Sequence, residues 1–286
     1  KACFDVTYRT NSYGARDVER DRQSSKGRTV VLGDSFVEGY GVEAHERFTD
    51  LLERESGREH LNFGSSGVFS PTQYFLAYRD LAKGFDHDTV LVEVLPDNDF
   101  LEDDIEYGKK ALGSSYRPYF VGTYPNYTLT YFQPRFRGEA GMRADSARRF
   151  FREFTWTENI RYYLSKLSLG GLRPSGYSGY FDYTHEQLDR LRYVLTQIRR
   201  EAGDRRLVIV TIPRLSDFLR ARGENSQLPE KMGEIATSLN ARYVDLLAPM
   251  AKLNDPSSYF LPCDGHWNAM GHRVAAEVLR DALRER

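Results

Sequence analysis

The segment VVLGDSFVEGYGV, residues 30–42, places Gly33, Asp34 and Ser35 at the end of an apolar run. A short polar side chain at such a corner has two interpretations. Ser35 can close a turn, or its hydroxyl can attack an electrophile. A serine hydroxyl is a poor nucleophile at neutral pH, so the second interpretation requires a general base elsewhere in the chain.

Further polar residues follow the next predicted strands. Asn62, Gly64 and Gly67 follow a second strand, PDND (96–99) follows a third, and CDGHWN (263–268) precedes the last predicted helix. Sites in open parallel sheets form beyond the carboxyl ends of the strands. We therefore expect a serine, glycine amides, an asparagine and an Asp-x-His pair to meet at one edge, which is the set that acyl transfer needs.

Alternation of short apolar runs and amphipathic segments predicts the scaffold. Predicted strands cover 28–33, 59–64, 88–94, 206–213 and 242–246, and predicted helices cover 46–56, 70–84, about 143–168, 184–203, 228–240 and 268–284. Strands joined by helical connections lie parallel. The prediction is an α/β fold, a three-layer α/β/α sandwich around a mostly parallel sheet, in one domain over 1–286.

Two segments lie outside this alternation. Residues 1–27 read as an irregular N-terminal arm or a hairpin, and residues 100–180 read as an insertion with nine aromatics between 107 and 136. The insertion is either a small satellite core or a lid over the substrate. Tyrosines offer a flat apolar face and a hydroxyl, which suits sugars. The candidate substrate contacts are Tyr116, Tyr119, Tyr124 and Tyr127.

Composition excludes several classes of function. The chain has 286 residues, 40% apolar and 28% charged, with a net charge of −1. A balanced charge argues against a nucleic-acid partner. No apolar run approaches the roughly 20 residues of a membrane-spanning helix. A start at Lys1 rather than Met is compatible with a leader or anchor that precedes the chain.

The two cysteines are Cys3 and Cys263. Two are too few for a disulfide framework or a zinc site. They either form one bridge, which ties the arm to the segment before Asp264, or are unrelated thiols. A bridge would favour an oxidising compartment.

Four sequence blocks resemble the GDSL/SGNH hydrolases, which include serine esterases, lipases and carbohydrate deacetylases. The blocks are GDSFVEG, NFGSSG, DND and DGHWNAMGH. The resemblance implies that Ser35 is the nucleophile and His266 its base. It implies an oxyanion hole formed by the backbone amides of Ser35 and Gly67 and by the Asn98 side chain. Asp264 is then the acid that orients His266.

The resemblance covers residues 28–99 and 184–284 and has two departures. Pro96 stands where the family has Gly, and Cys263 stands where it has the acid, which here is Asp264. Asp-x-His is similar to the pattern of an acetyltransferase branch that modifies cell-wall and exopolysaccharides. The arm, with TNSYGARD, is similar to extracytoplasmic, polysaccharide-linked members.

Three functions follow from these observations. The first is a serine esterase that removes acetyl or another short acyl group from a carbohydrate. The second is an O-acyltransferase, in which a sugar hydroxyl resolves the same acyl-enzyme. The third is an inactive carbohydrate-binding module on a hydrolase scaffold. The first two require no metal or organic cofactor, and an extracytoplasmic location is expected.

Overall fold

The computed structural model describes residues 3–111, 116–132, 177–253 and 255–284. Its strands are β1 (Arg28–Gly33), β2 (Glu59–Gly64), β3 (Thr89–Val94), β4 (Arg117–Thr123), β5 (Asn126–Phe132), β6 (Arg206–Thr211) and β7 (Arg242–Asp245). Five of them form one parallel sheet in the order β2-β1-β3-β6-β7. The predicted α/β fold with a parallel sheet is confirmed.

Helices flank the sheet. They are α1 (Ser35–Glu38), α2 (Phe48–Ser56), α3 (Pro71–Asp80), α4 (Pro96–Glu102), α5 (Ile105–Ala111), α6 (His185–Ala202), α7 (Leu215–Arg220), α8 (Leu228–Ser238), α9 (Leu247–Leu253) and α10 (Ala269–Arg284). Capping boxes at Ser70 and Thr184 begin α3 and α6. α3 packs against α6, and α2 packs against α10.

The core lies between the sheet and these helices. β1 and β3 are buried along their whole length, including Val30, Leu32 and Leu91. Strands covered on both faces carry continuous apolar runs instead of alternating ones. These continuous apolar runs are what made the strands recognisable in the sequence. The strand ends are therefore the places where polar side chains meet.

The insertion and the arm add to the sandwich. β4 and β5 pair antiparallel as a separate hairpin, and the short helices α4 and α5 precede it; none of the four was predicted. The predicted helix at 143–168 lies outside the described residues. From Cys3 to residue 27 the arm contains no helix or strand. None of the helices described is both long and apolar enough to cross a membrane.

Candidate active site

Asp34, not Ser35, closes the turn after β1. Asp34 is the N-cap of α1, and its Oδ1 accepts the Phe36 N–H at 2.8 Å. The turn also requires a glycine before it, because a Cβ on Gly33 would lie 2.3 Å from Glu93 Oε2. Since the capping role belongs to Asp34, the Ser35 hydroxyl is available for another partner.

That partner is His266. The Ser35 Oγ lies 2.7 Å from His266 Nε2, and His266 Nδ1 is hydrogen-bonded to Asp264 Oδ1. A neutral imidazole that donates from Nδ1 to a carboxylate has Nε2 as its acceptor. The serine therefore donates to a ring nitrogen that can take its proton. This chain of two hydrogen bonds has the connectivity of a Ser-His-Asp triad.

The Asp-x-His spacing works because the loop folds back on itself. Asp264 Oδ1 accepts the backbone N–H of His266 at 3.0 Å as well as the bond from its ring. A carboxylate that accepts from the amide two residues later forms an Asx turn. One oxygen thus fixes both the backbone and the imidazole of His266, with only one residue between them.

Two aromatic rings hold the His266 imidazole from the side. The centroid of Tyr40 lies 4.5 Å from that of His266, and the centroid of Phe36 lies 5.0 Å away. The second histidine of the block is excluded as the base. His272 is buried, and burial lowers its pKa to about 3; its Nδ1 accepts the Phe48 N–H at 3.4 Å.

The predicted oxyanion donors lie at the ends of β2 and β3. Gly67 has φ +87°, in the left-handed region that favours glycine, and within the described chain its N–H has no hydrogen-bond partner. Asn98 lies in the first turn of α4, where Pro96 occupies the first helical position. Proline is favoured there, so the departure from the family's glycine creates a helix start.

Three buried carboxyl groups connect the ends of β1 and β3. Burial raises the pKa of Asp34, and it raises the pKa of Glu93 and Asp99 well above the usual value, with repulsion from Asp34 adding to both. Glu93 Oε2 accepts the Asp34 N–H at 3.2 Å, and Asp99 Oδ2 accepts the Leu95 N–H at 3.0 Å. These bonds fix the turn of Ser35 and the start of α4.

The four candidate tyrosines lie apart from the triad. Tyr119 is buried against Gly108, Tyr127 contacts Tyr193 of α6 at 4.9 Å, and Tyr124 lies under the Arg192 guanidinium. Tyr116 is exposed and stacks on Tyr131 at 5.6 Å. Within the described residues no ring contact or hydrogen bond joins these four to Ser35 or His266. Their role in substrate binding stays a prediction.

The structure joins Cys3 and Cys263 in a disulfide, immediately before Asp264. This is the first of the two alternatives that the sequence left open, and it attaches the arm to the loop that carries Asp264 and His266. In the part of the chain that the structure describes, no group of three or more His, Cys, Asp or Glu residues is placed to hold a metal ion.

Sequence reasoning missed two residues at this edge. Tyr40 packs on the base, and the Arg214 Nη2 donates to Asn98 Oδ1 at 2.5 Å. Arg214 follows β6 in the segment TIPR, so the rule that selects polar residues after strands would have selected it as well. Tyr40 lies in the same GYG turn as two glycines, and no sequence signal ties it to His266.

Comparison with known proteins gave matches among solved structures only. No family model matches the chain, and no curated protein sequence matches it. Similar structures include a lipase/acylhydrolase from Enterococcus faecalis, with 10% identity over 90% of this chain and 95% of that one and a TM-score of 0.47. A lipolytic protein of the G-D-S-L family from Veillonella parvula has 11% identity over 91% and 99%, with a TM-score of 0.49.

A third similar structure is a carbohydrate esterase family 2 enzyme with a carbohydrate-binding domain, from Corynascus thermopiles. It has 12% identity over 93% of this chain and 68% of that chain, with a TM-score of 0.47. Similarity at this level assigns no activity, which has to come from the site itself.

Proposed function

We propose that this chain is a serine esterase that acts through an acyl-enzyme and removes acetyl or another short acyl group from a carbohydrate. One observation carries the proposal. Ser35 Oγ lies 2.7 Å from His266 Nε2, while His266 Nδ1 is bonded to Asp264. A nucleophile, a base and an orienting carboxylate in this connectivity suit acyl transfer.

The reaction has two halves. His266 Nε2 takes the Ser35 proton as Oγ attacks the acyl carbon, and it returns that proton to the alcohol that leaves. Water then attacks the acyl-enzyme, giving a proton to His266 and releasing the acid, and the proton returns to Ser35. Asp264 fixes the imidazole tautomer and stabilises its charged form.

The oxyanion of each tetrahedral intermediate would be bound by the backbone N–H groups of Ser35 and Gly67 and by the Asn98 amide. Each such donor typically lowers the barrier by about 3 kcal/mol. Because the Ser35 hydroxyl is the attacking group, Ser35→Ala should fold normally and lose nearly all activity.

A sugar hydroxyl could resolve the same acyl-enzyme in place of water, and the Asp-x-His pair resembles that acetyltransferase pattern. Incubation with p-nitrophenyl acetate, with and without sugar acceptors, separates the two reactions. Mass analysis that finds acetate supports the esterase, and acetylated sugar supports the transferase. Turnover by Ser35→Ala close to the wild-type rate would contradict both, whereas no turnover by the wild type would favour the inactive binding module.

We further propose an extracytoplasmic location. The Cys3–Cys263 disulfide supports it, because such bonds persist in oxidising compartments. Thiol titration of denatured, unreduced protein, recovered from its native compartment, should find no free thiol. Two free thiols would remove the support for export.

A further inference from the structure

Arg214 lies just after β6, the strand that pairs with β3. Val94 pairs with Thr211 at the ends of β3 and β6, so the segments that follow these strands emerge side by side. Asn98 follows β3 and Arg214 follows β6. The Arg214 backbone is itself held, because its N–H donates to Asp217 Oδ2 at 2.7 Å. Its guanidinium therefore approaches Asn98 from a fixed point.

The bond to Asn98 selects one of the two orientations of the amide. The Arg214 Nη2 donates to Asn98 Oδ1 at 2.5 Å. An amide that accepts through its oxygen directs its NH₂ group, which carries two donors, to the opposite side. One of these donors is bonded to the Asp34 carboxylate and lowers its pKa, so the other is the one available to an oxyanion. An amide turned by 180° would offer its oxygen to the oxyanion and repel it. Arg214 disfavours that orientation through a charge-assisted hydrogen bond.

Arg214 also supplies positive charge where the surroundings are acidic. Its charge lowers the pKa of Asp34 and of Asp97, against the larger effect of burial, which raises both. The Arg214 Nε lies 3.8 Å from Asp97 Oδ2. This contact with Asp97 helps to hold the guanidinium beside Asn98.

We propose that Arg214 is a positioning residue, which holds the Asn98 amide so that one of its N–H groups faces the oxyanion. This inference rests on the proposed esterase function. Arg214 acts through Asn98, so its effect belongs to the transition state, in which the oxyanion forms, and not to ground-state binding.

A double-mutant cycle tests the proposal with p-nitrophenyl acetate as substrate. Arg214→Gln should lower kcat by about 10- to 100-fold with little change in KM, which is below or near the loss of a whole oxyanion donor. Arg214→Lys, which keeps one charged donor, should recover part of the loss. In an Asn98→Ala background, Arg214→Gln should cause no further loss, because the amide that it orients is absent.

Arg220→Gln is the matched control. Arg220 is the last residue of α7, the helix that Arg214 precedes, and it pairs with Asp182 and Glu224 on the surface, so its loss should leave kcat unchanged. Thermal unfolding checks that each variant is folded, and if Arg214→Gln is not, the cycle is run with Arg214→Lys.

Two results would overturn the proposal. Full additivity of Arg214→Gln and Asn98→Ala would mean that Arg214 does not act through Asn98. A rise in KM with kcat unchanged would mean that Arg214 binds the substrate instead. Ser35→Ala is assayed in parallel, because activity in that variant defeats the esterase function itself, whereas additivity with an inactive Ser35→Ala defeats only the role of Arg214.

Discussion

The N-terminal arm and the β4–β5 hairpin both lie outside the sandwich, but their contacts differ. The arm reaches the loop that carries Asp264 and His266 through the Cys3–Cys263 disulfide, and Phe4 packs on Tyr40 at 5.1 Å. The Tyr40 ring in turn contacts His266. The hairpin instead contacts the helices, through Phe120 and Tyr127. Phe120 contacts Phe75 of α3 and Tyr193 of α6.

The arm also holds the turn after α1. Arg16 donates to the carbonyl oxygens of Gly39 at 2.5 Å and Val42 at 2.7 Å, and the Gly41 N–H donates to the Tyr8 hydroxyl at 3.1 Å. These bonds enclose Tyr40, the residue that packs on the base. A polar segment without regular structure is therefore better placed to affect catalysis than a segment rich in aromatics.

Among the substitutions that this comparison suggests, the largest fall in kcat is expected at Asp264, which follows the arm's disulfide partner Cys263. Asp264→Asn should lower kcat for p-nitrophenyl acetate by about 10²- to 10⁴-fold, because the imidazole loses its fixed tautomer and its compensating charge. Asp255→Asn is the control, since Asp255 is exposed and caps a short helix of the preceding segment. Activity of Asp264→Asn within about threefold of the wild type would show that another group orients His266.

Tyr40, which Phe4 of the arm contacts, and Tyr131, which lies in the hairpin, give a matched pair. Tyr40→Ala should lower kcat about tenfold, because the imidazole loses the ring that fixes its plane. Tyr131→Ala, in the hairpin, removes an exposed ring that stacks on Tyr116 and should leave kcat unchanged. Steady-state kinetics on the two purified variants decide the point. Equal losses in both would remove the distinction between arm and hairpin.

The disulfide should affect stability more than chemistry. Replacing both cysteines by serine should lower the free energy of unfolding by about 2–5 kcal/mol and lower kcat less than Tyr40→Ala does. Chemical denaturation with and without reductant measures the first effect. The wild type should lose stability in reductant and the double-serine variant should not. A wild type that is indifferent to reductant would contradict a structural role for the bond.

The smallest effect is expected in the hairpin. Replacing Tyr116 and Tyr124 by Ala should change kcat/KM for p-nitrophenyl acetate by less than about twofold, because this ester is too small to reach them. The same variant assayed on an acetylated oligosaccharide tests the lid interpretation. A raised KM for that substrate alone supports a substrate platform. An unchanged KM favours a satellite core, and a loss on both substrates would break the comparison.

Most of the sheet could be predicted because its strands are buried on both faces and its helices carry caps. The pieces that escaped prediction are stabilised differently. α4 begins because Pro96 suits a first helical position, not because of an apolar period. β5 shows an alternating pattern of partial burial, as expected of a hairpin with one exposed face, and a search for helical periodicity does not detect it.

At the site, residue types could be predicted and their orientation could not. Ser35, Gly67 and Asn98 follow the ends of predicted strands, and His266 lies in the segment before the last predicted helix. The Asx turn of Asp264 depends on the backbone conformation of its loop, which spacing alone does not determine. The bond from Arg214 to Asn98 joins two residues 116 positions apart, and only the pairing of β3 with β6 brings them together.

The most direct test of the central claim is covalent labelling of the nucleophile. A fluorophosphonate should add once per chain, peptide mapping should locate the adduct on Ser35, and His266→Ala should slow the reaction strongly, because the hydroxyl needs its base. Ser35→Ala should not react. Labelling of Ser35→Ala at the wild-type rate, or an adduct at another residue of the wild type, would contradict the assignment of Ser35 and with it the proposed esterase mechanism.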